Sequence, residues 1–238
     1  MKLRLDQTLA ELKLVASRSQ AESYIKLGQV QVNGRVVTKP GHMVNHEDVV
    51  TISPNTQYVS RAALKLESVA KILQINFADK VVLDVGSSTG GFTDYALKQG
   101  AKKVIDVEVG TDQLHPSLLG HPQIELHEKT DIRDFRTDQA IDIVVADVSF
   151  ISLRDILPSI ARLSQSTTQI VVMVKPQFEA TKSNLKHKGV IKNDTMRRDI
   201  LKDFETWSQG KFMIINKADS EVAGAKGNRE RFYLLKRL

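Results

Sequence analysis

The sequence predicts an α/β fold: a parallel sheet of the nucleotide-binding kind, preceded by a small α+β unit. Three observations carry this expectation. The run Val81-Val82-Leu83-Asp84-Val85 meets glycines at 86, 90 and 91 and then a helical stretch, the order strand, glycine turn, helix that opens such sheets. Several later runs, Ile141-Asp142-Ile143-Val144-Val145-Ala146 above all, are almost continuously apolar, as strands covered on both faces must be. Ahead of them, two short helical patterns run into an Asn-Gly turn flanked by alternating valines.

In the first unit, Leu5, Leu9 and Leu12 fall at i, i+4 and i+7 and predict the apolar face of a helix. Ser19 with Glu22 three residues on is a capping-box pattern for a second helix, with Ala21, Tyr24 and Ile25 inward and Gly28 as its stop. Val30-Gln31-Val32, the turn Asn33-Gly34 and Arg35-Val36-Val37 form a hairpin of type I′. Pro54-Asn55-Thr56-Gln57 is polar and turn-rich. It sets the expected organisation: a first domain over 1–54, a linker over 55–59 and a second domain over 60–238.

The second domain opens with a helix carrying Ala63, Leu66, Val69 and Ala70 on one face. The first strand leads through the glycine turn to a helix over 93–99, stopped by Gly100. Further strands are expected over Lys103–Val107, Ile124–His127, 141–146, 170–174, 212–216 and 232–235. Residues 180–193 are polar, lysine-rich and aperiodic, the composition of an active-site loop.

Composition narrows the function classes. The chain has 238 residues, 41% hydrophobic and 26% charged, ordinary for a globular protein of one sizeable domain and a small companion. With no cysteine, disulfides, thiolate metal sites and thiol catalysis are excluded. The six histidines are scattered without ligand spacing, so no metal is expected. No apolar run approaches the roughly 20 residues that span a bilayer, and the start lacks an apolar signal segment, so a cytoplasmic protein with no membrane partner is expected. The net charge of +6 favours a polyanionic partner. Arg18, Lys26, Arg35 and Lys39, spread over the first unit, are the candidate RNA-binding residues.

Ligands of open α/β sheets bind outside the carboxyl ends of the strands. Gly86, Gly90 and Gly91 leave room for backbone to approach a small cofactor, with Ser88, Thr89 and Phe92 in the same turn. Their G-x-x-x-G-G spacing is not the dinucleotide pattern, which excludes a nicotinamide oxidoreductase. Asp84 is placed to order the loop or to accept from a cofactor's ammonium, an arrangement that resembles S-adenosylmethionine-dependent methyltransferases. Glu108, after the second strand, suits a ribose, and Asp131, after the third, an adenine amino group. Asp147 ends the fourth strand and Lys175 the fifth, Glu230 stands before the last, and Lys65 lies on the helix before the first.

Two family resemblances follow from longer motifs. Ser17-Arg18-Ser19-Gln20-Ala21, Ile25, Gly28-Gln29-Val30-Gln31-Val32-Asn33-Gly34, Val37, Lys39-Pro40 and Val44 resemble the small RNA-binding domain first named from ribosomal protein S-four. Tyr58-Val59-Ser60-Arg61, Leu64-Lys65-Leu66, Ser88-Thr89-Gly90-Gly91-Phe92-Thr93-Asp94 and Asp147-Val148-Ser149-Phe150-Ile151-Ser152-Leu153 are similar to the TlyA family. So are Val174-Lys175-Pro176-Gln177-Phe178-Glu179-Ala180 and Gly227-Asn228-Arg229-Glu230. Members join an S-four-type domain to an FtsJ-like ribose methyltransferase with a Rossmann-like sheet. The resemblance implies an S-adenosylmethionine cofactor, held by the glycine turn with Asp84, Glu108, Asp131 and Asp147. It also implies ribosomal RNA or ribosomal subunits as partner, the cytidine 2′-hydroxyl as acceptor, and a catalytic tetrad of Lys65, Asp147, Lys175 and Glu230. In that tetrad Lys175 would remove the hydroxyl proton, Lys65 would hold the developing oxyanion, and the two acids would orient the lysines. Glu108 and Asp131 depart from the aspartate and asparagine usual at those places. The competing readings are a non-catalytic RNA-binding or assembly factor and a membrane-active haemolysin; the intact tetrad and the lack of a spanning segment disfavour them.

Overall fold

Alternating and continuous apolar runs place each strand, and the residues at strand ends follow from the register. The structure, a computed structural model, describes residues 2–15, 18–26, 28–52, 58–180, 189–224 and 227–238. The chain divides into two compact units, Met1–Arg61 and Ala62–Leu238. Residues 53–57, most of the expected linker, and 181–188, the centre of the expected active-site loop, lie outside the described residues.

In the first unit β1 (Leu3–Arg4) leads directly into α1 (Leu5–Glu11), followed by α2 (Arg18–Lys26), β2 (Val30–Val32), β3 (Arg35–Val36), β4 (Met43–Val44) and β5 (Val50–Ile52). β1 pairs with β4, and β2 is flanked by β3 and β5, all antiparallel. Leu5, Leu9, Ala21, Ile25, Val30, Val32 and Val44 form the core. Asn33 and Gly34 both have positive φ (+52° and +76°), the type I′ turn expected. Two expectations are corrected. Leu12 is the C-cap of α1 and 56% exposed, because the helix stops one residue short of it. Ser19 lies inside the first turn of α2, which begins at Arg18, and so is not its cap.

The second unit contains α3 (Arg61–Ala70, its first residue in the preceding unit), β6 (Val81–Val85), α4 (Gly91–Lys98), β7 (Lys103–Val107), β8 (Ile124–His127), β9 (Ile143–Ala146) and α5 (Leu153–Leu163). Then come β10 (Gln169–Val174), α6 (Pro176–Glu179), α7 (Asp194–Ser208), β11 (Phe212–Asp219) and β12 (Arg231–Arg237). Seven strands make one sheet in the order β11-β12-β10-β9-β6-β7-β8. From β10 to β8 the pairing is parallel, as the apolar runs predict. β12 departs: it inserts between β10 and β11, antiparallel to both. The stretch joining β11 to β12 is too short for a helical crossover, so the two strands pair as a hairpin. The sheet is therefore mixed. Its core runs through Leu83, Ile105, Val144, Val172, Leu157, Phe204 and Tyr233, each 0% exposed; each apolar side chain so buried contributes about 1.5–3 kcal/mol.

Register then sets the site. Val85 lies opposite Val107 on one side and Ala146 on the other, so Gly86, Glu108 and Asp147 leave the sheet side by side. β10 passes Ala146 at Val172 and continues to Val174, which carries Lys175 onto the same rim.

Candidate active site

Two cavities open along that rim. The larger, about 420 Å³, has apolar walls from Val85, Val107, Ile132 and Ile156, with Glu108, Asp131 and Asp147 at its polar places. The smaller, about 140 Å³, is lined by the turn residues Gly86, Ser88, Thr89, Gly91 and Phe92 together with Asp84, Asp147, Ser149 and Lys175. Gly86, Ser88, Asp147 and Ser149 border both, so the two cavities adjoin at the glycine turn.

The turn is built from backbone that side chains would obstruct. Gly86 has φ +78°, and a Cβ there would lie 3.3 Å from the Asp147 carbonyl oxygen. At Gly90, φ +82°, a Cβ would meet Leu118 at 2.5 Å and Leu114 at 2.6 Å. Gly90 caps α4, and Phe92, buried in its first turn, packs against Phe232 with ring centres 6.0 Å apart. Glu108 accepts from the amides of Ser88 (2.9 Å) and Gly110 (2.7 Å), so this acid fixes the turn as well as lining the larger cavity. Asp131 also lines that cavity, yet both its oxygens are engaged by the Arg133 guanidinium at 3.0 and 2.7 Å. That guanidinium holds the Asp131 carboxyl below its usual range.

The four residues of the expected tetrad form two ion pairs. Lys65 Nζ lies 2.5 Å from Glu230 Oε2, and Lys175 Nζ lies 2.5 Å from Asp147 Oδ1. Their side chains are between 4% and 16% exposed, so the charges meet in a largely dry setting. The pairs also sense each other. Burial raises the Glu230 carboxyl above its usual range, against the opposing pull of Lys65, while the Asp147 charge adds to the rise and Lys175 opposes it. Lys175 Nζ further donates to Ser149 Oγ at 2.8 Å. α3, β9, β10 and the start of β12 thus each deliver one member.

Sequence reasoning missed three features of this rim. Asp106 on β7 joins Asp84 and Thr93 in a buried cluster; the signal was present, since Leu83-Asp84-Val85 and Ile105-Asp106-Val107 place an acid at the same point of adjacent apolar strands. Glu179 accepts from the Leu153 amide and the Ser152 hydroxyl, both at 2.7 Å, and ties α6 to the start of α5. Its partners lie far off in sequence, so the motif over 174–180 that contains it does not announce the contact. Phe150 is 93% exposed with φ +66°, and its ring stands 5.3 Å from Phe178 beside Lys175.

In the first unit, Lys26, Arg35 and Lys39 are exposed. Lys26 pairs with Glu22 one turn away, at 2.9 Å. Arg18 is partly committed: its Nε donates to Asp6 Oδ2 at 2.9 Å, and Arg4 grips the same buried carboxylate.

Residues 58–237 match the FtsJ-like methyltransferase family. The chain belongs to that family. Ahead of the FtsJ-like methyltransferase domain, residues 3–50 match the S4 domain. Hemolysin A of Brachyspira hyodysenteriae is 36% identical over 233 residues, 96% of this chain and 97% of that protein. The 16S/23S rRNA (cytidine-2'-O)-methyltransferase TlyA of Mycobacterium tuberculosis is 35% identical over 240 residues, 98% of this chain and 89% of that protein. A solved structure described as a hemolysin from Streptococcus thermophilus superposes with a TM-score of 0.77 at 31% identity, covering 99% of this chain and 88% of that one. This FtsJ-like methyltransferase therefore shares its two-part organisation, in sequence and in fold, with relatives of nearly its whole length.

Proposed function

We propose that the protein transfers a methyl group from S-adenosylmethionine to the ribose 2′-hydroxyl of cytidine in ribosomal RNA, which its S4 unit helps to bind. The observation that carries this reading is a lysine–carboxylate pair, Lys175 with Asp147, on the wall of a cavity floored by the glycine turn, with a second pair, Lys65 and Glu230, close enough for Glu230 to feel both charges of the first. The residues present fit the cofactor: the turn offers bare backbone at Gly86, the larger cavity offers apolar walls with acids at its polar places, and the smaller offers carboxylates for a cation. Glu108 and Asp131 would hold the nucleoside, Asp84 and the residues 86–92 the amino-acid end. When bound, the cofactor supplies a methyl group on a positively charged sulfur.

The chain's own residues do the rest. A ribose hydroxyl is a poor nucleophile until its proton is drawn off. Lys175, fixed by Asp147 and Ser149, is assigned as the proton acceptor, and Lys65, fixed by Glu230, as the cation facing the developing oxyanion. Phe150 and Phe178 add an aromatic surface beside Lys175 on which a base can stack. The name haemolysin attaches to relatives; among the described residues no helix is long and apolar enough to cross a membrane.

Calorimetry with S-adenosylmethionine and single-turnover methyl transfer to ribosomal subunits test the reading, followed by mapping of the modified nucleotide. Binding and transfer that place a methyl group on a cytidine ribose are the expected result. RNA binding without transfer points instead to an assembly factor, and a modified base instead of a ribose overturns the chemistry assigned to Lys175.

A further inference from the structure

Beneath the glycine turn lies a buried group of side chains, Asp84 among them, whose shared hydroxyl contact the roles assigned above do not explain. Asp84 on β6 and Asp106 on β7 are register partners, 1% and 0% exposed. Thr93, buried in the first turn of α4, holds its hydroxyl 2.7 Å from Asp84 Oδ2 and 2.7 Å from Asp106 Oδ1. A hydroxyl has one proton and donates to one acceptor. For both contacts to be hydrogen bonds, the second carboxyl must carry a proton and donate it to Thr93.

The surroundings agree. Asp147, from the end of β9, acts on Asp84, and Glu108, from the end of β7, acts on Asp106; both are acids. Asp94 on α4 is paired with Lys98. Among the described residues no lysine or arginine forms an ion pair with Asp84 or Asp106, and their outer oxygens, Asp84 Oδ1 and Asp106 Oδ2, accept no hydrogen bond. Two ionised carboxylates in so dry a place repel, and such a pair titrates as a unit. Burial pushes both carboxyls up, Asp106 to about 7. Asp84 reaches the wall of the smaller cavity, which Lys175 and Asp147 also line.

We propose that Asp84, Thr93 and Asp106 form a proton-holding site under the cofactor turn, which keeps one proton in the free chain and releases it when a cationic cofactor enters the smaller cavity. The balance is simple: a carboxyl O–H bond breaks, its proton passes to solvent, Thr93 keeps its own, and the new carboxylate charge is matched by the cofactor's cation. The inference rests on the cofactor reading above. It adds that cofactor affinity rises with pH, approaching tenfold per unit while the free chain still holds the proton.

The test is calorimetry of S-adenosylmethionine binding to the full chain at pH 6.5, in two buffers of different ionisation enthalpy. Release of about half to one proton per chain is expected. Asp106→Asn keeps the shape and donates to Thr93 as a protonated carboxyl would; it should still bind, with no proton released and an affinity flat in pH. The infrared C=O stretch of a protonated carboxyl, present in the free chain and lost on binding, gives a readout that needs no variant. Binding whose heat does not depend on the buffer overturns the inference and leaves the cofactor reading standing. Equal proton release by Asp106→Asn overturns it too, by assigning the proton elsewhere. Absence of binding in the unsubstituted chain overturns both.

Discussion

Lys175 carries the sharpest claim at the scale of single residues. As proton acceptor it must cycle through a neutral amine, so Lys175→Arg, which keeps the charge but never yields its proton, should lose at least about 10²-fold in single-turnover transfer. Cofactor binding and folding should survive; a near-normal rate would leave the residue an electrostatic role only. Glu230→Gln separates the second pair: it frees Lys65 from its partner at 2.5 Å, so transfer should fall while Asp147 and Lys175 stay in place. The buried acids make a separate claim about stability. Burial lifts Asp106 to about 7, so folding binds a proton between the ordinary carboxyl value near 3.9 and that value. Stability from this group is therefore greatest at acid pH and lost as pH rises through the window. Asp106→Asn should melt higher than the parent at pH 8, by about 2–4 °C for each kcal/mol gained, with the gap closing toward pH 5.

Among elements, the α5 start and α6 act together. Glu179 accepts from Ser152 and Leu153 and so fastens the stretch after Asp147 to the stretch after Lys175. Glu179→Ala leaves a buried amide unpaired, at a cost of about 1–3 kcal/mol, and lets the two loops move apart. A lower melting temperature together with a reduced transfer rate is expected; unchanged transfer would show that the loops hold without it. Much of this architecture was legible beforehand. Val81–Val85 and Lys103–Val107 were readable to the residue because inner parallel strands read as mostly apolar runs, each here broken by one acid. Ile124–His127, the half-buried edge strand, was readable because its apolar and polar residues alternate. The pairing of Lys65 with Glu230 and of Lys175 with Asp147 follows from places the sequence marks, since each of the four sits at a strand end or in a family-like motif. The direction of β12 was not, since an apolar run looks the same whichever way it is paired. Nor was the engagement of Asp131 by Arg133, which depends on how a loop folds back, or the exposure of Leu12, decided by a helix ending one residue early.

For the molecule as a whole, charge and order of assembly matter. Net charge +6 and the exposed Arg35 and Lys39 predict salt-sensitive RNA binding. Reversing either charge should flatten the salt dependence by about 0.7 of a log unit per lost single-strand phosphate contact, with cofactor affinity unchanged. Arg18→Glu should do more than weaken RNA binding: it deprives the buried Asp6 of one of its two arginines, so the first unit should also unfold more easily. Filter-binding salt titrations and thermal melts of the same variants separate the two effects. A last consequence lies in where β12 sits. Lys65 on α3 is made before any strand of the sheet and Lys175 only after β10, but Glu230 leads into a strand that must insert between β10 and β11 after both have been made. The glycine turn and its neighbouring parallel strands are complete long before that. A nascent chain can thus assemble the cofactor's seat well ahead of its chemistry. If Glu230 serves the transfer as proposed, methyl transfer comes later in synthesis than cofactor binding, once β12 has been made and inserted.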